Sequence, residues 1–527
     1  MMQTEGFQWQ VPETFNFGSE IVDRWAAEDS DRLALIWTND EGAEEYFTFR
    51  DIAHLSGQCA NFFVQHGLRK GDRILIVLPR IPLWQIVMTA CTKLGAIAVP
   101  CISMLSPSDI EYRITNCAAS AIIAKAEDTW KIPSDRPGLR KFSVGRAPIG
   151  WTPLESLQSY STSFAAPIVS AEDPAIIYYT SGSTGLPKGV VHAARALYTW
   201  RQSAIVWLSL NPGDRMWCTA DTGWSKAGTS ILFGPWSCGA TVHFHDGIFN
   251  ARTRFALIER HRIQCFCASA TEFRRLLAEP AHEFDLSSLE TVVSAGESVN
   301  PEVLKGWRAL TGLDILDGYG QTETLMTIVN RPGMAVKPGS MGRALPGTEV
   351  AVLTADGHIK DKLSQGQLVI RTPNPQLLLT YWQDPDRTKG LYREIEGTTW
   401  FQTGDEAYMD EDGYLFYRGR NDDIINTSGY RVGPQEVENA LGSHPAVQEC
   451  AVVGRPDAKR GEIVVAHIVL KVGYLPTDDL TAQLQSHVKT VTAPYKYPRR
   501  IVYADALPKT ATGKIKRHAL RNTEIAS

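Results

Sequence analysis

The chain has no surplus of positive charge, no unbroken apolar run long enough to cross a bilayer, and no cysteine spacing that holds zinc or cycles between thiol and disulfide. Each absence removes a class of function. Fifty-three basic and 58 acidic residues leave a net charge of −5, so nothing marks a footprint for a nucleic-acid backbone. The nine cysteines are scattered, and the nearest pair, Cys265 and Cys267, is separated by one residue. That is neither a zinc-knuckle nor a redox spacing, and reduced, mostly buried thiols are expected. The most apolar stretch, Leu83 to Leu105, is broken by Gln85, Lys93, Gly95 and Pro100, which predicts a helix followed by a strand instead of a membrane span. The first thirty residues carry Glu5, Glu13, Glu20 and Asp23 with little basic charge. They lack the features of a secretory or mitochondrial address, and a cytoplasmic protein is expected.

A chain of 527 residues exceeds what one hydrophobic core serves. Ile52, Leu55, Cys59, Phe62 and Phe63 recur at helical spacing, and Ile74 to Leu78 form a continuous apolar run suited to a strand covered on both faces. A helix from about Pro82 to Leu94 and strands at 96–99 and 121–124 continue the alternation, which predicts βαβ units and a parallel sheet. Strands near 215–218, 240–244, 265–267 and 291–293 imply a second such unit. Residues 340 to 420 read as short strands between Gly and Asp turns, hence a small β-rich subdomain. Past the polar run Arg418 to Asp423, a helix at 434–441, two strands and a helix at 480–491 suffice for a separate α+β domain. The expected division is 1–421 and 422–527.

Against the absences stands one dense polar stretch, Tyr178-Tyr179-Thr180-Ser181-Gly182-Ser183-Thr184-Gly185-Leu186-Pro187-Lys188-Gly189-Val190. Residues 180 to 185 are all Ser, Thr or Gly, so the backbone can turn tightly and aim N–H groups and hydroxyls at one anion, with Lys188 as a point charge. A Ser/Gly-rich surface turn is the plainer alternative. It is not a Walker loop, because Lys188 precedes Gly189 and no hydroxyl residue follows the lysine. A strand leads in at 175–179. His192, just beyond, invites a Ser/His pairing with Ser181 or Ser183, but no third partner is visible and a histidine at a helix start is the simpler reading.

This loop resembles the ATP phosphate loop of the adenylate-forming superfamily: acyl-CoA synthetases, luciferases and peptide-synthetase adenylation domains. Distant segments agree with it. Asp317-Gly318-Tyr319-Gly320-Gln321-Thr322-Glu323-Thr324 follows an apolar run, at a strand's carboxyl end where open α/β sheets bind ligands, and resembles the superfamily's adenine and metal segment. A carboxylate beside hydroxyls suits a hydrated magnesium ion. By that resemblance Glu323 holds Mg²⁺ and Thr322 contacts the α-phosphate or the acyl carboxylate. Gly296, Glu297 and Ser298 match the other adenine-side turn. Thr403-Gly404-Asp405, alone a common turn, matches the segment whose aspartate takes the ribose hydroxyls, with Arg420 beside it. Leu507 to Ile515 resembles the basic loop whose lysine, here Lys514, bridges acyl carboxylate and α-phosphate in the transition state.

The closer similarity is to medium-chain acyl-CoA synthetases, through Asp221 to Trp224, Gly318 to Glu323, Gly419 to Asp423 and Ala493 to Pro498. It implies coenzyme A contacts at Ser428, Gly429, Tyr430, Arg431, Arg460, Tyr495, Lys496 and Tyr497, with Arg431 also near the acyl adenylate. It implies a hinge at Asp422 and an acyl pocket lined by Trp224, Gly318, Gly320 and Leu325. In short-chain relatives a tryptophan occupies the position of Gly320. Its absence here implies room for a medium-chain or aromatic acid, unless glycine serves the backbone. The expected reaction is ATP-dependent formation of an acyl-adenylate and transfer of the acyl group to coenzyme A. A carrier-protein acceptor, or a non-catalytic nucleotide-binding regulator, is the alternative.

Overall fold

The computed structural model describes residues 6–134, 136–180, 186–427, 430–457, 460–509 and 515–522. A nine-stranded sheet runs in the order Arg343–Ala344, Leu325–Val329, Ile315–Gln321, Thr291–Ala295, Cys265–Ala268, Arg215–Cys218, Thr241–Asp246, Leu33–Asn39, Glu44–Thr48. An eight-stranded sheet runs Thr380–Tyr381, Lys188–Ala193, Pro174–Thr180, Ile97–Cys101, Arg73–Val77, Ala121–Lys125, Arg140–Val144, Thr152–Pro153. Both are parallel through their middles and antiparallel toward one end or both. The expectation of parallel βαβ units therefore holds for the interiors alone.

Local sequence explains the helices that cover these sheets. Phe49–Gln65 begins on Thr48, whose hydroxyl accepts from Asp51 N–H while the Asp51 carboxylate accepts from Thr48 N–H at 2.8 Å, a reciprocal cap. Pro82–Leu94 opens on proline and stops where Gly95 takes φ 71°, the left-handed turn that glycine adopts without strain. Trp84, Trp200, Trp207 and Trp236 are fully enclosed in the main core. Eight of the nine cysteines are buried and all are unbridged, as their spacing indicated.

A six-stranded antiparallel sheet, centred on Thr398–Met409 between Ser364–Arg371 on one side and Tyr392–Ile395 and Leu415–Arg420 on the other, forms the β-rich part. The smaller C-terminal domain is a five-stranded sheet around Gly461–Leu470 and Val447–Asp457, packed with helices Pro434–Gly442 and Asp478–Val491. Among the described residues no helix is long and apolar enough to cross a membrane.

Two hairpins at the sheet ends carry the polar segments. Lys188–Ala193 pairs antiparallel with Pro174–Thr180 on one side and with Thr380–Tyr381 on the other. Ile315–Gln321 and Leu325–Val329 form a second hairpin, and its turn reaches the first.

Candidate active site

The site assembles around Asp405. Gly404 takes φ 72°, and strand pairing sets Asp405 opposite Arg420. The aspartate is 3% exposed. Its carboxylate accepts from the Tyr319 hydroxyl at 2.5 Å and from the Gln321 amide at 2.6 Å, while Arg420 Nε stands 3.4 Å away. The Gln321 amide also donates to the Thr403 carbonyl at 2.8 Å. Burial, and then the Asp405 charge, push the Tyr319 hydroxyl well above its usual pKa, so it stays a donor. Four residues from three distant segments thus form one cluster about a carboxylate.

From Gln321 the chain enters the turn that bears Thr322 and Glu323, and this turn is fixed at several points. The Thr324 hydroxyl accepts from Gln321 N–H at 3.0 Å, and Leu378 N–H donates to the Glu323 carbonyl at 2.8 Å. The Tyr381 hydroxyl donates to Glu323 Oε1 at 2.8 Å. The His192 ring bonds through Nε2 to the Thr322 carbonyl at 2.6 Å. Leu325 then takes φ 56°, a left-handed conformation that costs a non-glycine residue on the order of 1 kcal/mol and persists where surroundings impose it. His192 lies inside the strand Lys188–Ala193 and is fully buried, which corrects the reading of it as a helix-start residue. Burial lowers its pKa to about 4.

Lys188, at the head of the same strand, sets its ammonium 5.5 Å from the centre of the Tyr381 ring. Burial, then Arg387, depress its pKa, with Glu323 acting oppositely. Thr180 pairs directly with Lys188. Ser181, Gly182, Ser183, Thr184 and Gly185 lie outside the described residues, as do Ser428, Gly429 and Lys514.

Register brings the segments expected on the adenine side together, Ser294 beside Asp317 and Ala295 beside Gly318. Asp317 is half-buried, and desolvation raises its pKa to about 7. Lys226 donates to the Ala295 carbonyl at 3.1 Å. Gly296 takes φ 101°, Glu297 accepts from Thr271 N–H at 2.7 Å, and Ser298 follows in the same loop.

At the expected acyl end, Trp224 precedes the helix Ser225–Ser230, and the Ser225 hydroxyl stands 3.4 Å from that of Thr322. A Cβ on Gly318 would lie 2.6 Å from the Met326 methyl and 3.0 Å from Trp207. Gly320 has a backbone reason to be glycine. A Cβ there would fall 2.0 Å from the Leu325 carbonyl oxygen, inside the hairpin itself. Of the two readings of Gly320, the geometry favours the one in which the backbone needs it.

In the C-terminal domain Tyr430, 51% exposed, stacks on Tyr495 with ring centres 4.2 Å apart and planes within 17°. Lys496 pairs with Glu436 at 2.6 Å, and Glu436 also holds Arg418 at 2.7 Å. The Tyr497 hydroxyl accepts from Arg499 at 2.5 Å. Arg460 closes a turn on the Asp457 carboxylate at 2.9 Å through its N–H, and Arg431 is in the edge strand Tyr430–Val432. Asp422 lies in the turn that follows the strand Leu415–Arg420, its side chain 3.9 Å from Arg420 and its carbonyl accepting from Arg521 at 3.1 Å.

Sequence reasoning missed Tyr381 and Glu436. Tyr381 meets Glu323, and Glu436 meets Arg418 and Lys496, partners distant in the chain that the tertiary pairing reveals.

Fold and site together define a nucleotide-using enzyme made of a large domain and a small one. The chain belongs to the AMP-binding enzyme family, which residues 22–382 match, and residues 436–514 match the AMP-binding enzyme C-terminal domain. It is 38% identical over 518 residues to the uncharacterized acyl–CoA ligase YtcI of Bacillus subtilis (strain 168), covering 98% of this chain and 97% of that one. It is 37% identical over 539 residues to the mitochondrial acyl-coenzyme A synthetase ACSM3 of Mus musculus, covering 99% and 92%. The crystal structure of the anthranilate CoA ligase AuaEII in complex with anthranoyl-AMP matches with a TM-score of 0.88 at 31% identity, over 97% of each chain.

Proposed function

We propose that this AMP-forming acid–CoA ligase activates a medium-chain or aromatic carboxylic acid. A carboxylate oxygen attacks the α-phosphorus of ATP, giving an acyl-adenylate and pyrophosphate. The thiol of coenzyme A then attacks the acyl carbon and AMP leaves. Adenylation is required because a carboxylate oxygen is a poor leaving group. The observation that carries this reading is the single constellation in which Asp405, Tyr319, Gln321 and Arg420 adjoin the turn bearing Thr322 and Glu323.

In that reading Asp405 takes the ribose hydroxyls, Arg420 steadies it, and Asp317 with the Gly296–Ser298 loop faces the adenine. Lys188 and the loop from Thr180 to Gly185 hold the outer phosphates. Thr322 places its hydroxyl at the reacting oxygens, and Lys514 stabilises the charge that builds there. Glu323 is a fitting partner for Mg²⁺. Its Oε1 is oriented by Tyr381, and such an ion usually takes one or two carboxylates with water and substrate phosphates completing the shell. What Mg²⁺ supplies when bound is neutralisation of phosphate charge. Trp224, Gly318, Gly320 and Leu325 line the acyl end. Ser428, Gly429, Tyr430, Arg431, Arg460, Tyr495, Lys496 and Tyr497 serve coenzyme A, and the stacked Tyr430–Tyr495 pair supports that face. The domains divide at Asp422, about which the small one turns between half-reactions. The protein is cytoplasmic in this reading.

A panel of acids from acetate to decanoate, with benzoate and anthranilate, tests the substrate class by acid-dependent pyrophosphate release. A medium-chain or aryl acid is expected to exceed acetate in kcat/KM by at least about tenfold, since each buried methylene contributes roughly 0.8 kcal/mol. Preference for acetate over every longer acid contradicts the proposal.

A further inference from the structure

The strand Lys188–Ala193 carries more than the phosphate lysine. Side chains alternate along a strand, so Lys188, Val190 and His192 share one face. The neighbours Val190, Val191 and Ala193 are fully buried and apolar, and valine would suit position 192 by packing alone. Histidine stands there instead, fully buried, with Nε2 on the Thr322 carbonyl at 2.6 Å and Nδ1 without a partner among the described residues. An unpaired buried ring nitrogen costs stability that an apolar residue avoids. Something other than packing therefore favours the imidazole.

The other nitrogen supplies the reason. Burial keeps the ring neutral, with a pKa of about 4. Facing a carbonyl, Nε2 bears the proton and donates. Its acceptor is the peptide that joins Thr322 to Glu323, in a hairpin turn that ends on the left-handed Leu325 at φ 56°. Such a turn relaxes unless held. Tyr381 holds the Glu323 carboxylate, Leu378 holds the Glu323 carbonyl, and His192 holds the Thr322 carbonyl. Because His192 and Lys188 share one strand, the grip on the turn and the grip on the phosphates have a common rigid support.

We propose that His192 is a positioning residue for adenylation, whose Nε2–H fixes the Thr322 carbonyl and thereby sets the Thr322 hydroxyl and the Glu323 carboxylate toward the reacting phosphate. This rests on the proposed acid–CoA ligase chemistry. The role is geometric, since the imidazole neither gives nor takes a proton.

The test compares His192→Leu, which fills the space without a donor, with His192→Gln, whose amide nitrogen reaches the position of Nε2. Melting temperatures establish that each is folded. Acid-dependent pyrophosphate release and thioester formation from supplied acyl-adenylate are then measured separately. In the leucine variant kcat for pyrophosphate release is expected to fall about 30- to 100-fold with KM for ATP within about threefold, the scale of loss from a small misplacement of reacting groups. Thioester formation stays within about threefold, and glutamine restores most of the adenylation rate. The proposal is overturned if folded His192→Leu adenylates like the wild type, if both half-reactions fall together, or if glutamine is as impaired as leucine. Should the leucine variant not fold, asparagine, too short to reach the carbonyl, replaces it in the same comparison against glutamine. Wild-type enzyme that releases no pyrophosphate with any acid overturns the parent reading before a variant is considered.

Discussion

Gly320 shows how one missing side chain carries two meanings until its neighbours are known. From the sequence it marks the place of an absent indole, hence an open acyl pocket. In the structure its Cα faces the Leu325 carbonyl so closely that any Cβ would sit 2.0 Å from the oxygen, a distance that forces the backbone to move. Gly320→Trp and Gly320→Ala are therefore both expected to lose at least about tenfold in activity with every acid, acetate included, because the shift disturbs the adjacent Gln321–Asp405 bond. Retained or raised use of acetate or propionate by Gly320→Trp would restore the open pocket. At this scale much of the site was legible. Asp405, Arg420 and Gln321 meet beside the turn of Thr322 and Glu323, and each stands among polar residues and glycines that seldom serve packing. Tyr381 was not legible, because a lone tyrosine in an apolar stretch carries no signal of the carboxylate it meets 58 residues away.

Elements were read well where periodicity is long and ends are marked. The helix Pro82–Leu94 appears between the residues expected, because proline opens it and Gly95 closes it. His192 was misassigned because a six-residue strand that continues directly into the helix Ala194–Val206 gives no local sign of the change. The hinge proposed at Asp422 is also an element-scale matter. Around Asp422 the main-chain bonds come from Asn421, Asp423 and Ile424 N–H groups, so proline at 422 removes none of these while fixing φ near −65°. Asp422→Pro is expected to keep one half-reaction and lose most of the other. Full retention of both, or equal loss in a folded protein, would move the hinge elsewhere. The strand Thr241–Asp246 carries a different consequence. His243 and His245 both meet the Thr38 hydroxyl, at 3.2 and 2.9 Å, and His243 lies against His261. Burial depresses all three pKa values, that of His245 to about 4. The unfolded chain takes up protons near pH 6.5 and the folded one does not until lower pH. Their contribution is therefore complete above about 6.5 and is lost as pH falls. Asp317, raised to about 7, works in the opposite sense. Urea titrations at pH 7.5 and 5 are expected to show a smaller loss of stability in His243→Gln than in the wild type, and equal losses would contradict the assignment.

For the molecule as a whole, two sheets with parallel interiors, a β-rich part and a small C-terminal domain follow from hydrophobic alternation, while the antiparallel sheet ends and the meeting of those ends at the site do not. That meeting places Asp405, the turn of Thr322 and Glu323, and Lys188 within one region. In the chemistry proposed for it the acid oxygen becomes bonded to the α-phosphorus, and to no outer one. Carboxylate labelled with ¹⁸O decides this in a single turnover with ATP and coenzyme A. Direct attack by the acid predicts one labelled oxygen in the AMP released and none in pyrophosphate. Unlabelled AMP, or label in pyrophosphate, would contradict it.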